Sequence, residues 1–198
     1  TKVCGFHEWC PYWYNGFVHL QMSPPGWYFF AYPLYILFGS VTMAAFISMI
    51  LLYALGFIAT MALGRVSGMN KMQSTVLFLI FFANASVVGN TIRNGRQHAM
   101  LASILFVFLF ALIWYYRDKK IDYRFGLASM IYSLMLVTHY QETFLAAALF
   151  ASIFLYKRGL KEKIKVMASF LASFILASWW LKGFVEGLKT SSLLSFQE

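Results

Sequence analysis

The residues best placed to do chemistry lie in Thr138-His139-Tyr140-Gln141-Glu142, the one polar interruption of a long apolar stretch near the middle of the chain. His139 and Glu142 are three apart, so in a helical turn they share one face, the spacing at which an imidazole and a carboxylate exchange a proton or hold a metal together. A second constellation is Arg93-Asn94-Gly95-Arg96-Gln97-His98, with two guanidinium groups three apart. Such pairs are usually solvated loops, but they also form clamps for phosphate oxygens, and phosphate binding by Arg96 is the preferred reading. The third is Glu8, the acid of an aromatic stretch that includes Trp13 and Tyr14. Each has a bland alternative: His139 satisfying backbone groups freed at a helix break, and the aromatic residues anchoring the chain at a membrane surface.

The elements that must position these residues follow from charge and length. Basic clusters Arg117-Lys119-Lys120-Arg124 and Lys157-Arg158-Lys161-Lys163-Lys165 bracket the interrupted stretch. One helix from Tyr123 to Tyr156 would be about 50 Å long, well beyond a hydrocarbon core of about 30 Å, so the chain must fold back at Thr138–Glu142. Basic residues concentrate on the cytoplasmic side, which sends the hairpin tip to the opposite side. With 61% apolar, 20% aromatic and 12% charged residues, the composition excludes a water-soluble domain. The net charge of +9 sits at the ends of apolar runs, where it fixes orientation; nucleic acid is not the expected partner.

The expected architecture is all-α: a polytopic membrane protein with about six transmembrane helices and an N-terminal extracytoplasmic juxtamembrane helix. That helix is expected from Pro25 to Phe38, stopped by Gly39-Ser40. Spans are expected at 41–63, 74–92, 98–116, 123–138, 143–156 and 166–184, the fourth and fifth being the arms of the hairpin. The chain divides into an aromatic loop and juxtamembrane helix (1–40), a helical bundle (41–184) and a tail or the start of a further segment (185–198). This topology places eleven of the sixteen Lys and Arg residues inside, leaving Lys2, Arg93, Arg96, Lys182 and Lys189 outside. It also gathers His7, His19, His98 and His139 on the outer side with Glu8, Arg93, Arg96 and Glu142. Cys4 and Cys10 would face the same oxidising side, where a local disulfide is one option and free thiols the other. The start at Thr1 and the polar close at Ser195–Glu198 are expected of a piece of a longer protein.

Two sets of residues carry a family resemblance. Trp9-Cys10-Pro11-Tyr12-Trp13-Tyr14-Asn15-Gly16, followed by Ser23-Pro24-Pro25-Gly26-Trp27-Tyr28 and Leu34–Gly39, resembles the first extracytoplasmic loop of GT-C fold membrane glycosyltransferases. Asn94–Ala102 opening a span, and Leu136-Val137-Thr138-His139 closing a later one, are similar to further elements of the same superfamily. The resemblance implies a polyprenyl-phosphate-linked sugar as donor and transfer on the extracytoplasmic side of the cytoplasmic membrane. It implies Glu8 as base or metal ligand, Arg96 with Arg93 as phosphate clamp, and His139 with Glu142 as ligands or acceptor-positioning groups. Trp13 and Tyr14 would stack on the sugar. A divalent metal ion is compatible with His139 and Glu142, and the lipid tail would enter beside Phe29, Phe30 and Tyr32. The sequence departs from the family pattern in two ways: the first span and the acid behind it are not found ahead of the aromatic loop, so either Glu8 substitutes or the catalytic Asp lies upstream of Thr1, and Ser23 replaces a tyrosine before the two prolines. Two other classes remain: a non-catalytic subunit holding partner membrane subunits, and a transporter, for which inverted repeats would be expected and none is evident.

Overall fold

In the computed structural model, the described residues are 9–10, 17–18 and 24–194, with side chains described over 24–186. Trp9–Cys10 pairs antiparallel with Phe17–Val18, Trp9 opposite Val18 and Cys10 opposite Phe17. Every other regular element described is helical.

Helix α1 (Gly26–Phe38) follows Pro24-Pro25, and Gly39 ends it in the left-handed region at φ 64°, its N–H returning to the Tyr35 carbonyl. Ser40 then caps α2 (Val41–Val66) by accepting the Met43 N–H. Along α2 the buried residues Ala44, Ser48, Leu52, Gly56, Thr60 and Gly64 recur every fourth position, a stripe of mostly small side chains that lets neighbouring helices approach closely. A Cβ on Gly64 would stand 1.9 Å from Ser74 Oγ. Ser74 belongs to α3 (Lys71–Phe81), which starts in an Asn70–Gln73 capping box.

The span expected at 74–92 is divided. Helix α3 stops, and α4 (Ala85–Arg93) leaves at a bend of 48°. Asn84 provides the physical reason: its side-chain oxygen accepts the Val87 N–H while its amide donates to the Ile80 carbonyl, so one side chain ends one helix and begins the next. Gly95, at φ 61°, then turns the chain into α5 (Gln97–Tyr116).

The fold-back at the polar interruption is present. A 3-10 turn at Tyr123–Phe125 leads into α6 (Gly126–Leu136), and α7 (Tyr140–Tyr156) returns. The N–H groups of Thr138 and His139 both reach the Met135 carbonyl, closing the turn between them. Helix α8 (Leu160–Leu194) is much longer than the expected 166–184 span and passes residue 185 without a break. Lys161, Glu162, Lys163 and Lys165 are good helix formers, and Glu162 in the first turn favours the N-terminal dipole, so the polar lead-in is helical as well.

Among the described residues, three helices are long and apolar enough to cross a membrane: α2, α5 and the Leu160–Glu186 part of α8. The bent pair α3–α4 makes a fourth if it is one span, whereas α6 and α7, at 11 and 17 residues, fall short of that length. The largest core cluster joins α5, α6, α7 and α8 through Leu109, Phe125, Tyr132, Met135, Phe150 and Val166. Tyr132 and Phe150 meet edge to face at 5.4 Å.

The bundle has two chemically different ends. At one, Lys157 is buried and its ammonium donates to the carbonyls of Tyr116, Arg117 and Lys119, capping the C-terminus of α5. Burial pushes its pKa down, and Glu162 and Asp118 oppose that shift. Glu162 accepts the Ile121 N–H and Lys165 donates to the Ile121 carbonyl. The opposite end carries the histidines.

Candidate functional site

His139 is the N-cap residue of α7, in extended conformation, yet its ring makes no cap hydrogen bond. The bland role of satisfying the helix start therefore does not describe it. Its Nδ1 instead bonds to a carboxylate oxygen of Glu142, three residues on and in the first turn of α7, as the spacing anticipates. An ionised carboxylate only accepts, so a contact with ionised Glu142 requires the proton on Nδ1 and leaves Nε2 as the acceptor nitrogen of the ring. Both side chains are mostly withdrawn from solvent, 13% and 20% exposed. The Tyr140 ring stacks on His139 at 5.4 Å and 15°.

His98 joins this pair from the first turn of α5, its ring centroid 5.0 Å from that of His139. The two histidines, forty-one positions apart in sequence, meet because α5 begins and α6 ends at the same end of the bundle. Beneath them lies a cavity of about 550 Å³. Leu101, one turn on from His98, and Val137 and Thr138, immediately before His139, form part of its wall. The remaining wall is apolar except for Ser133, with Phe29 and Phe30 from α1 and Trp179 from α8. Of the residues expected beside the lipid tail, Phe29 and Phe30 line this cavity, and Tyr32 lines a neighbouring one.

Helix α1 is fastened to the hairpin tip at Gly26. Its N–H donates to the Val137 carbonyl at 2.7 Å. A Cβ there would lie 2.1 Å from Thr138 Oγ1 and 2.9 Å from Thr138 Cα, so only glycine allows this approach. Thr138 in turn donates to the Leu134 carbonyl. Sequence reasoning did not find this joint; its only signal is the run Pro24-Pro25-Gly26, which also reads as an ordinary helix start.

The arginines do not line the cavity of Phe29, Phe30 and Trp179. Arg96 precedes α5 at its N-cap, is exposed, and lines a smaller pocket of about 180 Å³ with Asn90, Thr91, Met100 and Ser103. That pocket lies on the α4 side of α5, while Leu101 and Leu105 on another face line the apolar cavity. Arg96 still acts electrostatically on His98. Arg93 is exposed in the last turn of α4, where a cation suits the helix dipole. Glu8, Trp13 and Tyr14 lie outside the described residues, as do His7, His19 and Cys4, so the first-loop acid, the sugar-stacking aromatics and the disulfide option fall there too.

The fit to a metal ion is partial. His139 and Glu142 supply one nitrogen and one carboxylate, fewer than the three protein ligands usual at a catalytic zinc site. Among the described residues, no group of three or more His, Cys, Asp and Glu side chains is arranged to hold a metal. What the pair has by itself is one imidazole–carboxylate contact, an arrangement chemically suited to proton transfer. No protein-family model, curated protein or solved structure matches this chain.

Proposed function

We propose that this chain is a GT-C type membrane glycosyltransferase that takes its sugar from a polyprenyl-phosphate donor on the extracytoplasmic side. The observation that carries the reading is the His139–Glu142 pair following directly on Val137 and Thr138, which line a largely apolar cavity with Phe29, Phe30 and Trp179. A long isoprenoid chain needs an apolar slot opening sideways, and a sugar on its phosphate needs a base at the slot's end. The acceptor hydroxyl oxygen attacks the anomeric carbon while the bond from that carbon to the phosphate oxygen breaks, its electron pair leaving with the phosphate. The hydroxyl proton passes to His139 Nε2, and Glu142 stabilises the imidazolium that forms. Arg96, assisted by Arg93, supplies positive charge for the departing phosphate, and Glu8 serves as a further base or ligand from the first loop. A divalent ion, if bound by His139 and Glu142 with a third ligand, would supply Lewis acidity at the same place.

In this reading, α3–α4 is one broken crossing and α6 and α7 are two short ones, giving six, with the Lys157 end cytoplasmic. Cysteine labelling from each side of sealed vesicles tests the topology. A cysteine at Asn94 should react from the outside and one at Arg158 from the inside; reaction of both from one side overturns the arrangement.

The functional test uses the full protein in vesicles with a radiolabelled polyprenyl-phosphate sugar. Wild-type protein should bind the donor and release polyprenyl phosphate in the presence of acceptor. Binding without turnover, unaffected by His139→Ala, would assign the chain to the non-catalytic class, a subunit that holds partners or lipid.

A further inference from the structure

The end of the bundle opposite His139 carries more positive charge than the chain itself neutralises. Segments 117–124 and 157–165 together hold nine Lys and Arg residues and three acids. All three carboxylates are engaged within the chain: Asp118 with Arg117 and Tyr156, Asp122 with Tyr116, and Glu162 with Lys165 and the Ile121 N–H. One of the remaining cations stands over an apolar groove. Lys163 makes no ion pair among the described residues, and the positions three and four away from it, Gly159, Leu160, Val166 and Met167, carry no carboxylate. Its ammonium lies 5.2 Å from the centre of the Phe154 ring. Phe154 in turn forms the basic end of a groove of about 210 Å³ between α7 and α8. From there the groove follows Ala151 and Ala147 on α7 and Val166 and Phe170 on α8, running about 10 Å away from the charged end. Its lining is apolar throughout.

We infer that the groove and Lys163 form a binding site for one anionic glycerophospholipid, with an acyl chain along the α7–α8 groove and the headgroup phosphate beside the Lys163 ammonium. Charge and shape select this occupant only in combination. A soluble anion, a nucleic acid or an acidic peptide would meet the positive charge and leave the apolar groove empty. A zwitterionic lipid would fill the groove, but it brings a cation of its own to an end that already has too many. A headgroup of net negative charge offsets that excess, and basic pockets between spanning helices on the cytoplasmic side are suited to such lipids. The Lys163 stem crossing the Phe154 ring is the posture by which a long cation reaches the headgroup layer from an apolar surface. Seated there, the lipid braces α7, the returning arm of the hairpin, against α8. This groove shares no lining residue with the cavity of Phe29, Phe30 and Trp179, so the inference does not rest on sugar transfer.

The test is photocrosslinking of the full chain in phosphatidylcholine vesicles, with a trace of phosphatidylglycerol carrying a diazirine midway along one acyl chain. A phosphatidylcholine bearing the same diazirine is the control probe. In wild type the phosphatidylglycerol probe should label the peptides carrying Ala147, Ala151 and Met167 about five-fold more than the control does, the preference one cation at the headgroup layer provides. Lys163→Gln removes the charge from a partly exposed side chain and should bring that labelling down to the control level, whereas Lys163→Arg should keep the preference. Ala151→Phe, which puts a ring into the groove from an exposed position, should abolish groove labelling by both probes. Equal labelling by the two probes in wild type, or a preference that survives Lys163→Gln, would overturn the proposal. So would groove labelling that disappears as the protein-to-lipid ratio is raised and a dimer forms, because a second copy of the chain would then be the occupant. The comparison of probes is read on wild-type protein, so it decides the matter even if a variant folds poorly. No readout involves a sugar donor, so failure here leaves the transferase reading untouched, and failure of that reading leaves this site standing.

Discussion

In the proposed mechanism Glu142 holds His139 in the tautomer that makes Nε2 basic, and that separates two kinds of substitution. In Glu142→Gln the side-chain shape is kept, but a neutral amide cannot stabilise an imidazolium and its NH2 can turn the ring to the wrong tautomer. Turnover should fall by roughly 10²–10⁴ with donor affinity unchanged, and His139→Ala should fall by a similar factor. A Glu142→Gln protein with wild-type turnover would remove proton transfer from this pair. Arg96→Ala, by contrast, changes an exposed side chain and should leave thermal stability within about 0.5 kcal/mol while weakening donor binding. Unchanged donor affinity would strip Arg96 of its phosphate role. Spacing alone made the His139–Glu142 contact legible, because three residues in a helical turn leave few alternatives. The facing of Arg96 was not legible: which side of α5 it takes depends on where α4 packs, and that follows from the break at Asn84.

At the scale of elements, the break at Gly39 and Ser40 was readable because one supplies a left-handed backbone conformation and the other a capping oxygen, whereas the Asn70 capping box that starts α3 at Lys71, ahead of the expected 74, was not read. The break between α3 and α4 carries neither Pro nor Gly, and Phe81-Phe82-Ala83-Asn84 reads as a continuing apolar span. A single asparagine does the work, and Asn84→Ala should cost about 1 kcal/mol through the lost cap. Detergent-solubilised protein unfolded thermally would register that loss; an unchanged midpoint would mean that packing, not the cap, holds the bend. The joint between α1 and the hairpin tip gives a stricter test. Gly26→Ala places a methyl group against Thr138 backbone and side chain, and overpacking of that kind costs about 1–3 kcal/mol. Because Gly26 and Thr138 also wall the cavity under His139, the variant should lose donor affinity along with stability. A loss confined to stability would mean that α1 is only a structural strut.

For the whole molecule, the clustering of basic residues already separated the two ends, and the folded chain brings His98 and His139 together at one and Lys157, Arg117 and Lys165 at the other. What the sequence could not show is how the basic end is fastened, since positive charge there reads only as orientation. Hydrogen bonds do it. Tyr156 donates to Asp118, and Tyr116 to Asp122, which hold both carboxyl groups below the usual carboxylate range; Arg117 adds to the effect on Asp118. Lys157 gathers three carbonyls at the end of α5. The sign of the pH dependence follows: with folded pKa values below those of the unfolded chain, the unfolded state binds more protons in mild acid. The two aspartates therefore contribute their full stability above the ordinary carboxylate pKa of about 4 and lose it as pH falls through their lower folded values. Asp118→Asn should flatten the acid limb of a melting-temperature profile and leave the neutral plateau little changed. Lys157→Met goes further, because it leaves three carbonyls without their ammonium donor. It should cost about 1.5–3 kcal/mol at every pH at which wild-type Lys157 is charged. The contacts of Lys157 all lie at the end opposite His139, so the variant should keep wild-type donor affinity wherever it remains folded. Loss of affinity in folded Lys157→Met protein would show instead that the two ends are coupled through α5, the helix that reaches from His98 to the carbonyls Lys157 holds.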